Sequence, residues 1–223
     1  MAIVRIHCTV IITITRPDIT YCVHMLRQFM QDLRQAHWDT VLRLLRYLKS
    51  CPGQGILLSP SSHLDLYVYC DSDWASCPMT RKLVTGYFIK LGTSPISWKT
   101  KKQNTVSRLS AEAEYQAMAN ATSEVIWIRN LLKFLGLLVS PAVVHCDNPA
   151  AIHIAANLVF HKCTKHIEVD CHFVREKIAS GDIVTCYTPS TEQLADIFTK
   201  ALGQRQFRYL LGNFGIYHPH APT

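Results

Sequence analysis

The sequence predicts a mixed α/β domain, with one sheet carrying antiparallel and parallel strands and helices packed on its faces. Three observations lead there. Residues 64–71 alternate Leu64, Leu66, Val68 and Cys70 against Asp65, Tyr67, Tyr69 and Asp71, the period of a strand. Residues 110–136 form one long helical stretch between a candidate cap and a glycine. Downstream of it, β-rich segments are separated by helical ones, so those strands must return parallel through right-handed crossovers.

The elements follow in chain order. The opening "MAIVRIHCTVIITIT" is β-branched and interrupted by Arg5 and His7, and it is expected to be a strand or strand remnant, with no signal-peptide cleavage site. "RPDITYCVHMLRQFMQDLRQ" starts a helix with Pro17 and Asp18, which suit a first turn. "HWDTVLRLLRYLKS" sets Trp38, Val41, Leu42, Leu45 and Leu48 on one helical face. "CPGQG" at 51–55 then breaks the pattern, and the chain divides there into a helical N-terminal appendage, 1–55, and a main domain, 56–223. In the main domain "HLDLYVYCD", "TGYFIKLG" and "SPISWK" read as three consecutive strands, an antiparallel meander. Next come the long helix, with Ser110 as its cap and Gly136 at its end, and the buried strand "AVVHCD". "NPAAIHIAAN" and "TKHIEVDCHFVREKIASG" are helices, "DIVTCYT" a last strand and "TEQLADIFTKALG" a last helix.

Composition narrows the class. With 223 residues, 48% of them hydrophobic, the chain can bury a sizeable core and is not a disordered segment. A formal charge of +7 suits a phosphate-rich partner, and equally serves solubility. Nine cysteines without a Cys-x-x-Cys pair read as buried thiols in a reducing compartment. No apolar stretch is long enough to span a bilayer, so a soluble protein with no membrane partner is expected.

The acids carry the chemistry. "YVYCDSDWAS", residues 67–76, places Asp71 and Asp73 where the first strand of the meander reaches its rim. Asp147 ends the strand "VVHCD". If these two strands are parallel neighbours, Asp71 and Asp147 meet at carboxyl ends beside a topological switch point, where open α/β sheets keep their sites. Glu114, one turn inside the long helix, and Asp196, one turn inside the last, could point to the same rim. Singly, each acid is as well explained by a turn or a cap.

Three long stretches resemble the ribonuclease H domain of copia-type retrotransposon Pol polyproteins: "CDSDWASCPMTRKLVTGYFIKLGTSPISWKTKKQNTVSRLSAEAEYQAMANAT", "CDNPAAIHIAANLVFHKCTKHIEVDCHFVREKI" and "TPSTEQLADIFTKAL". The resemblance runs from about Leu64 to Ile216. Upstream, "TITRPDI" and "QFMQDLRQAHWDTVLRLLRYLKSCPGQGILL" resemble the reverse-transcriptase connection segment of the same polyproteins. It implies a ribonuclease H-like fold, a five-stranded mixed sheet with helices on both faces, and hydrolysis of the RNA strand of an RNA–DNA hybrid. It also implies Asp71, Glu114, Asp147 and Asp196 as catalytic metal ligands, holding two Mg²⁺, or Mn²⁺, roughly 4 Å apart. On that basis Asp71 ends the central strand and bridges both ions, while Glu114 and Asp147 hold one side and Asp196 the other. Asp73 is expected to be a turn residue, pointing away by strand alternation or held in the turn. Glu112 competes with Glu114, but two residues apart on a helix they cannot share a face, and "AEYQAM" matches Glu114.

Other residues are weighed beside these. "SWKTKKQNTVSR" brings Lys99, Lys101, Lys102 and Arg108 without an acid, either a solvated loop or a phosphate-binding one. Ser110 and Asn148 neighbour the acids and are candidate nucleic-acid contacts. His161, Cys163, His166, Cys171 and His172 invite zinc, yet their spacing fits no common zinc module. The loop "CYTPSTEQ" lacks the histidine that cellular ribonucleases H usually carry there, and Leu83 and Leu109 stand where small or polar residues are expected. No adjacent aspartate pair follows a tyrosine, so polymerisation is not expected of this chain. The expected partners are an RNA–DNA hybrid and the polymerase part of a Pol polyprotein, in a cytoplasmic retrotransposon particle or in the nucleus. The alternative is a catalytically weak or inactive remnant that only binds hybrid or duplex nucleic acid.

Overall fold

The computed structural model describes residues 12–32, 34–60, 63–73, 83–103, 109–157 and 168–217. After a 3₁₀ turn at Pro17–Ile19 come α1 (Thr20–Gln28), α2 (Gln35–Ser50), β1 (Gly55–Ile56), β2 (Leu66–Asp73), β3 (Val84–Leu91) and β4 (Ser94–Lys102). Then follow α3 (Ser110–Phe134), β5 (Ala142–Cys146), α4 (Pro149–Ala156), α5 (Glu168–Ala179), β6 (Ile183–Tyr187), α6 (Asp196–Thr199), α7 (Gln204–Asn213) and β7 (Ile216–Tyr217). The main sheet has five strands in the order β4-β3-β2-β5-β6. β2–β3 and β3–β4 are antiparallel, whereas β2–β5 and β5–β6 are parallel. This is the mixed α/β sheet that the sequence predicts.

Strand alternation divides the core between the two faces. Leu66, Val68, Cys70, Tyr87 and Ile89 point to one face, where they pack with Tyr115, Met118, Val125 of α3 and Val174 of α5. Tyr69, Phe88 and Trp98 point to the other, against Ile197 and Phe198 of α6 and Leu210 and Phe214 of α7. Helices therefore cover both faces. The long helix ends where Gly136 takes φ +79°, a left-handed conformation that a glycine adopts without Cβ strain.

Three elements depart from expectation. Residues 12–15, expected to be extended, are helical. The helix expected over 191–203 shrinks to the four residues of α6, because its segment is buried on several sides: Gln193, Leu194, Ala195, Ile197 and Phe198 are all inside. A segment with no solvent face gains nothing from one amphipathic helix. Gly203 then separates α6 from α7, a helix that sequence patterning did not reveal.

The N-terminal helices touch the main sheet. Trp98 Nε1 donates to the Thr13 carbonyl at 2.8 Å, and Lys102 Nζ to Gln28 Oε1 at 2.5 Å. Asp18, fully buried as a side chain, receives both guanidinium arms of Arg16 and the Tyr47 hydroxyl at 2.7 Å, tying the turn at Pro17 to α2. β1 pairs with β7, so residues 55–56 are joined to the end of the described chain. The apolar stripe of α2 stays at the surface, with Trp38 54% and Leu45 52% exposed.

Candidate metal centre

β2 and β5 pair in parallel from Tyr67–Val143 to Tyr69–His145 and then part, and the acids lie just past that point. Gln193, completely buried, fills the parting. Its Nε2 donates to the carbonyls of Cys70 (3.1 Å) and His145 (3.4 Å), while its Oε1 accepts from the Ala195 amide. Asp71 and Asp147 thus project from a rim held by a side-chain amide.

All four expected acids arrive there. Asp71, Asp147 and Asp196 can each bring a carboxylate oxygen within 4.8 Å of the others, and so can Glu114, Asp147 and the thiol of Cys146. Asp71 comes from β2, Glu114 from one turn inside α3, Asp147 from the residue after β5, and Asp196 from the start of α6. Glu112 is buried but belongs to neither group. Asp73 does not turn away: β2 runs through it, paired with Val84, and two residues along a strand it shares the face of Asp71. It too is outside both groups, and its charge acts on Tyr21 of α1.

Burial and crowding tune these groups. The Glu114 carboxyl is pushed up to about 10, first by burial and then by the charges of Asp71, Cys146 and Asp147. Its Oε2 is buried without a hydrogen-bond partner. Asp196 is pushed up to about 7, by burial and then by Asp71, against the pull of Lys200. Asp71 is raised as well, chiefly by burial, with Lys200 and Thr199 opposing. The charge of Asp71 thus acts on both Glu114 and Asp196. Hydrogen bonding from Cys70 pulls the Cys146 thiol down, and the Asn148 amide donates to its sulfur at 3.5 Å.

Several participants escaped sequence reasoning. Lys200 Nζ lies 2.8 Å from Asp71 Oδ1 and 2.9 Å from Asp196 Oδ1. The Thr199 hydroxyl donates to Asp71 Oδ2, and Ser190 Oγ to Asp147 Oδ2 at 2.7 Å. Gly86 faces Asp71 across the β2–β3 pair, and a Cβ there would meet Phe198 Cβ and Thr199 Cγ2, both at 2.8 Å. The absent side chain lets α6 lie close on the sheet. Only the i,i+4 spacing of Asp196 and Lys200 was visible in the sequence as a signal.

The outer candidates fare differently. β4, the edge strand, includes Lys99 at the end of the expected strand "SPISWK" and runs on through Lys101 and Lys102, where a loop was expected. Lys99 and Lys101 are exposed and share a groove with Asn120, Ser123 and Glu124 of α3. Lys102 points oppositely, to Gln28. Arg108 lies outside the described residues, as do His161, Cys163 and His166. Cys171 is buried in α5 and His172 is exposed. Ser110 opens α3 as an exposed first helical residue, with Leu109 in the cap position. Asn148 caps α4, accepting the Ala151 amide at 3.1 Å. Leu83 is buried, whereas Leu109 is 60% exposed.

No family model matches the chain. It is 42% identical over 203 residues to the retrovirus-related Pol polyprotein from transposon RE1 of Arabidopsis thaliana, covering 91% of this chain and 14% of that protein. It is 34% identical over 193 residues to the Pol polyprotein from transposon TNT 1-94 of Nicotiana tabacum, covering 86% of this chain and again 14% of the relative. Among solved structures, LC11-RNase H1 in complex with an RNA/DNA hybrid aligns with a TM-score of 0.45 at 14% identity, over 60% of this chain and 93% of that one. Over most of its length this chain is homologous to retrovirus-related Pol polyproteins of transposons, and it spans 14% of theirs.

Proposed function

We propose that this chain is a divalent-metal-dependent nuclease of ribonuclease H type that hydrolyses the RNA strand of an RNA–DNA hybrid. The observation that carries the reading is the convergence of Asp71, Glu114, Asp147 and Asp196 from four separate elements onto one rim. The donor set fits the ions. It is dominated by carboxylate oxygens, which suit Mg²⁺ or Mn²⁺, and it includes a buried Glu114 oxygen, Oε2, outside hydrogen-bond geometry with any described partner, although the Ser72 hydroxyl interacts with the same carboxyl. Bound there, two such ions would supply Lewis-acid stabilisation of the charge that develops on a phosphodiester under attack.

The chain's own residues prepare that seat. Gln193 fixes the strand ends, Ser190 orients Asp147, and Thr199 and Lys200 orient Asp71. Asp71, whose charge reaches both Glu114 and Asp196, and Asp147, common to both donor groups, would help to hold the ions. Lys99 and Lys101 on the edge strand offer phosphate contacts. Selection of a hybrid is assigned to duplex shape and 2′-hydroxyl contacts, with little reading of bases. The expected products carry a 5′-phosphate and a 3′-hydroxyl.

Labelled RNA in a hybrid, incubated with and without Mg²⁺, tests the proposal. Wild type and Asp73→Asn are expected to cleave. Asp71→Asn should lose more than the about 100-fold that even an outer-shell partner of a metal can contribute. Wild type that binds hybrid yet cleaves it in neither Mg²⁺ nor Mn²⁺ would establish the binding-only remnant instead.

A further inference from the structure

A cation of the chain itself stands inside the candidate metal centre. The ammonium of Lys200 is within 3 Å of one oxygen of Asp71 and one of Asp196, two of the three carboxylates that form the all-oxygen group. An ammonium and a divalent ion cannot both occupy that position. They compete for the same oxygens, and as like charges in a half-buried site they repel. The other side of the centre differs: Glu114 Oε2 is buried with no hydrogen-bond partner. The four carboxylates therefore make two unlike seats, one held by an internal cation and one with an unsatisfied oxygen.

Lys200 is built to leave. It follows the last residue of α6 with an extended backbone (φ −120°, ψ 150°), outside the helix that positions Asp196. Its side chain is 32% exposed, whereas that of Asp71 is fully buried. The ammonium, a compact charge on a flexible four-carbon stem, is strongly hydrated when it reaches water, which offsets part of the loss of its two ion pairs. Thr199 remains on Asp71 Oδ2 when Lys200 departs from Oδ1, so the carboxylate keeps its orientation.

We propose that Lys200 is the residue that sets the divalent-ion affinity of this centre and the order in which it fills. The seat beside Glu114 and Asp147 fills first. The seat between Asp71 and Asp196 fills only as the Lys200 ammonium is displaced. This inference rests on the reading of the four acids as a metal centre. It makes Lys200 a positioning residue that holds the two carboxylates together in the metal-free protein and opposes the second ion.

Mn²⁺ binding to the full chain without nucleic acid, followed by electron paramagnetic resonance and calorimetry, tests this alongside thermal melts in chelator and in saturating Mn²⁺. Wild type should show a tighter and a weaker class of site. In Lys200→Met, and in Lys200→Gln if the methionine variant does not fold without metal, the weaker class should tighten by about tenfold or more, the effect of removing one competing charge a few ångströms away. The same variants should melt lower than wild type in chelator and recover that loss in Mn²⁺. Unchanged affinities, with melting lowered equally in chelator and in Mn²⁺, would make Lys200 a plain structural ion pair and overturn the proposal. Wild type that binds no divalent ion would instead overturn the metal-centre reading itself.

Discussion

Glu114 shows how far one residue's chemistry follows from where it sits. Its carboxyl is displaced from 4.5 to about 10 by burial and by neighbouring charges. A raised carboxyl stabilises the fold fully below its unfolded value, and that stability drains away as pH climbs through the folded one. Asp196 acts in the same sense between 3.8 and about 7. In chelator, then, the protein should melt progressively lower as pH rises from about 5 to about 8, within both displaced ranges. Glu114→Gln removes one source of that slope. It should melt above wild type at about pH 8, by a margin that shrinks on acidification towards the ordinary carboxyl range. His145, whose ring burial lowers, weakens the fold on acidification in both proteins and leaves their difference untouched. Equal melting of the two at every pH would mean that Glu114 is not under this pressure.

At the scale of elements, the approach of α6 to the sheet decides whether the site exists. Phe198 and Thr199 touch the place where Gly86 has no side chain, and that approach sets the Thr199 hydroxyl and the Lys200 ammonium on Asp71. Gly86→Ala should push α6 outward. Overfilling a packed contact of this kind costs about 1–3 kcal/mol, and for a chain of this size each kcal/mol lowers the melting temperature by about 2–4 °C. Thermal melts in chelator read the effect, and an unaltered Tm would show that the close approach is dispensable. β4 is the second element whose placement matters. As an edge strand with Lys99 and Lys101 exposed, it presents both cations on backbone paired with β3, and it runs on beyond Lys99 into residues for which the sequence suggested a loop.

For the whole molecule, charge is the relevant property. The net +7 is modest, and its use depends on where the cations lie. If Lys99 and Lys101 contact phosphates of a bound hybrid, affinity should fall steeply with salt. Replacing both by alanine should then flatten the log–log slope by up to about 0.9 per residue, one released counterion for each lost contact. Binding titrations at several salt concentrations measure it. An unchanged slope would place the nucleic-acid face elsewhere. The N-terminal helices bear on the same surface, since Lys102 is turned to Gln28 and Trp98 to Thr13, leaving the α3 side of β4 for Lys99 and Lys101.

By itself the sequence determined the kinds of residue at the site and the order of the elements bearing them. Strand alternation brought Asp71 to the rim and a buried strand brought Asp147, both local periodicities written within about a dozen residues. The long helix after Ser110 offered Glu112 and Glu114 alike, and the resemblance of "AEYQAM" to the family motif marked Glu114. It could not show that the segment around Asp196 abandons its helix, that Asp73 continues the strand, or that β4 extends through Lys102. Only the tertiary structure decided what surrounds the acids. Gly86, Gln193, Thr199 and Lys200 act through contacts with residues far away in the chain, Lys200 meeting Asp71 across 129 positions. Such contacts arise only when β5 inserts beside β2 and α6 settles over β2 and β3. No local pattern encodes them, because their energy lies in the closing of the sheet and not in any stretch of chain.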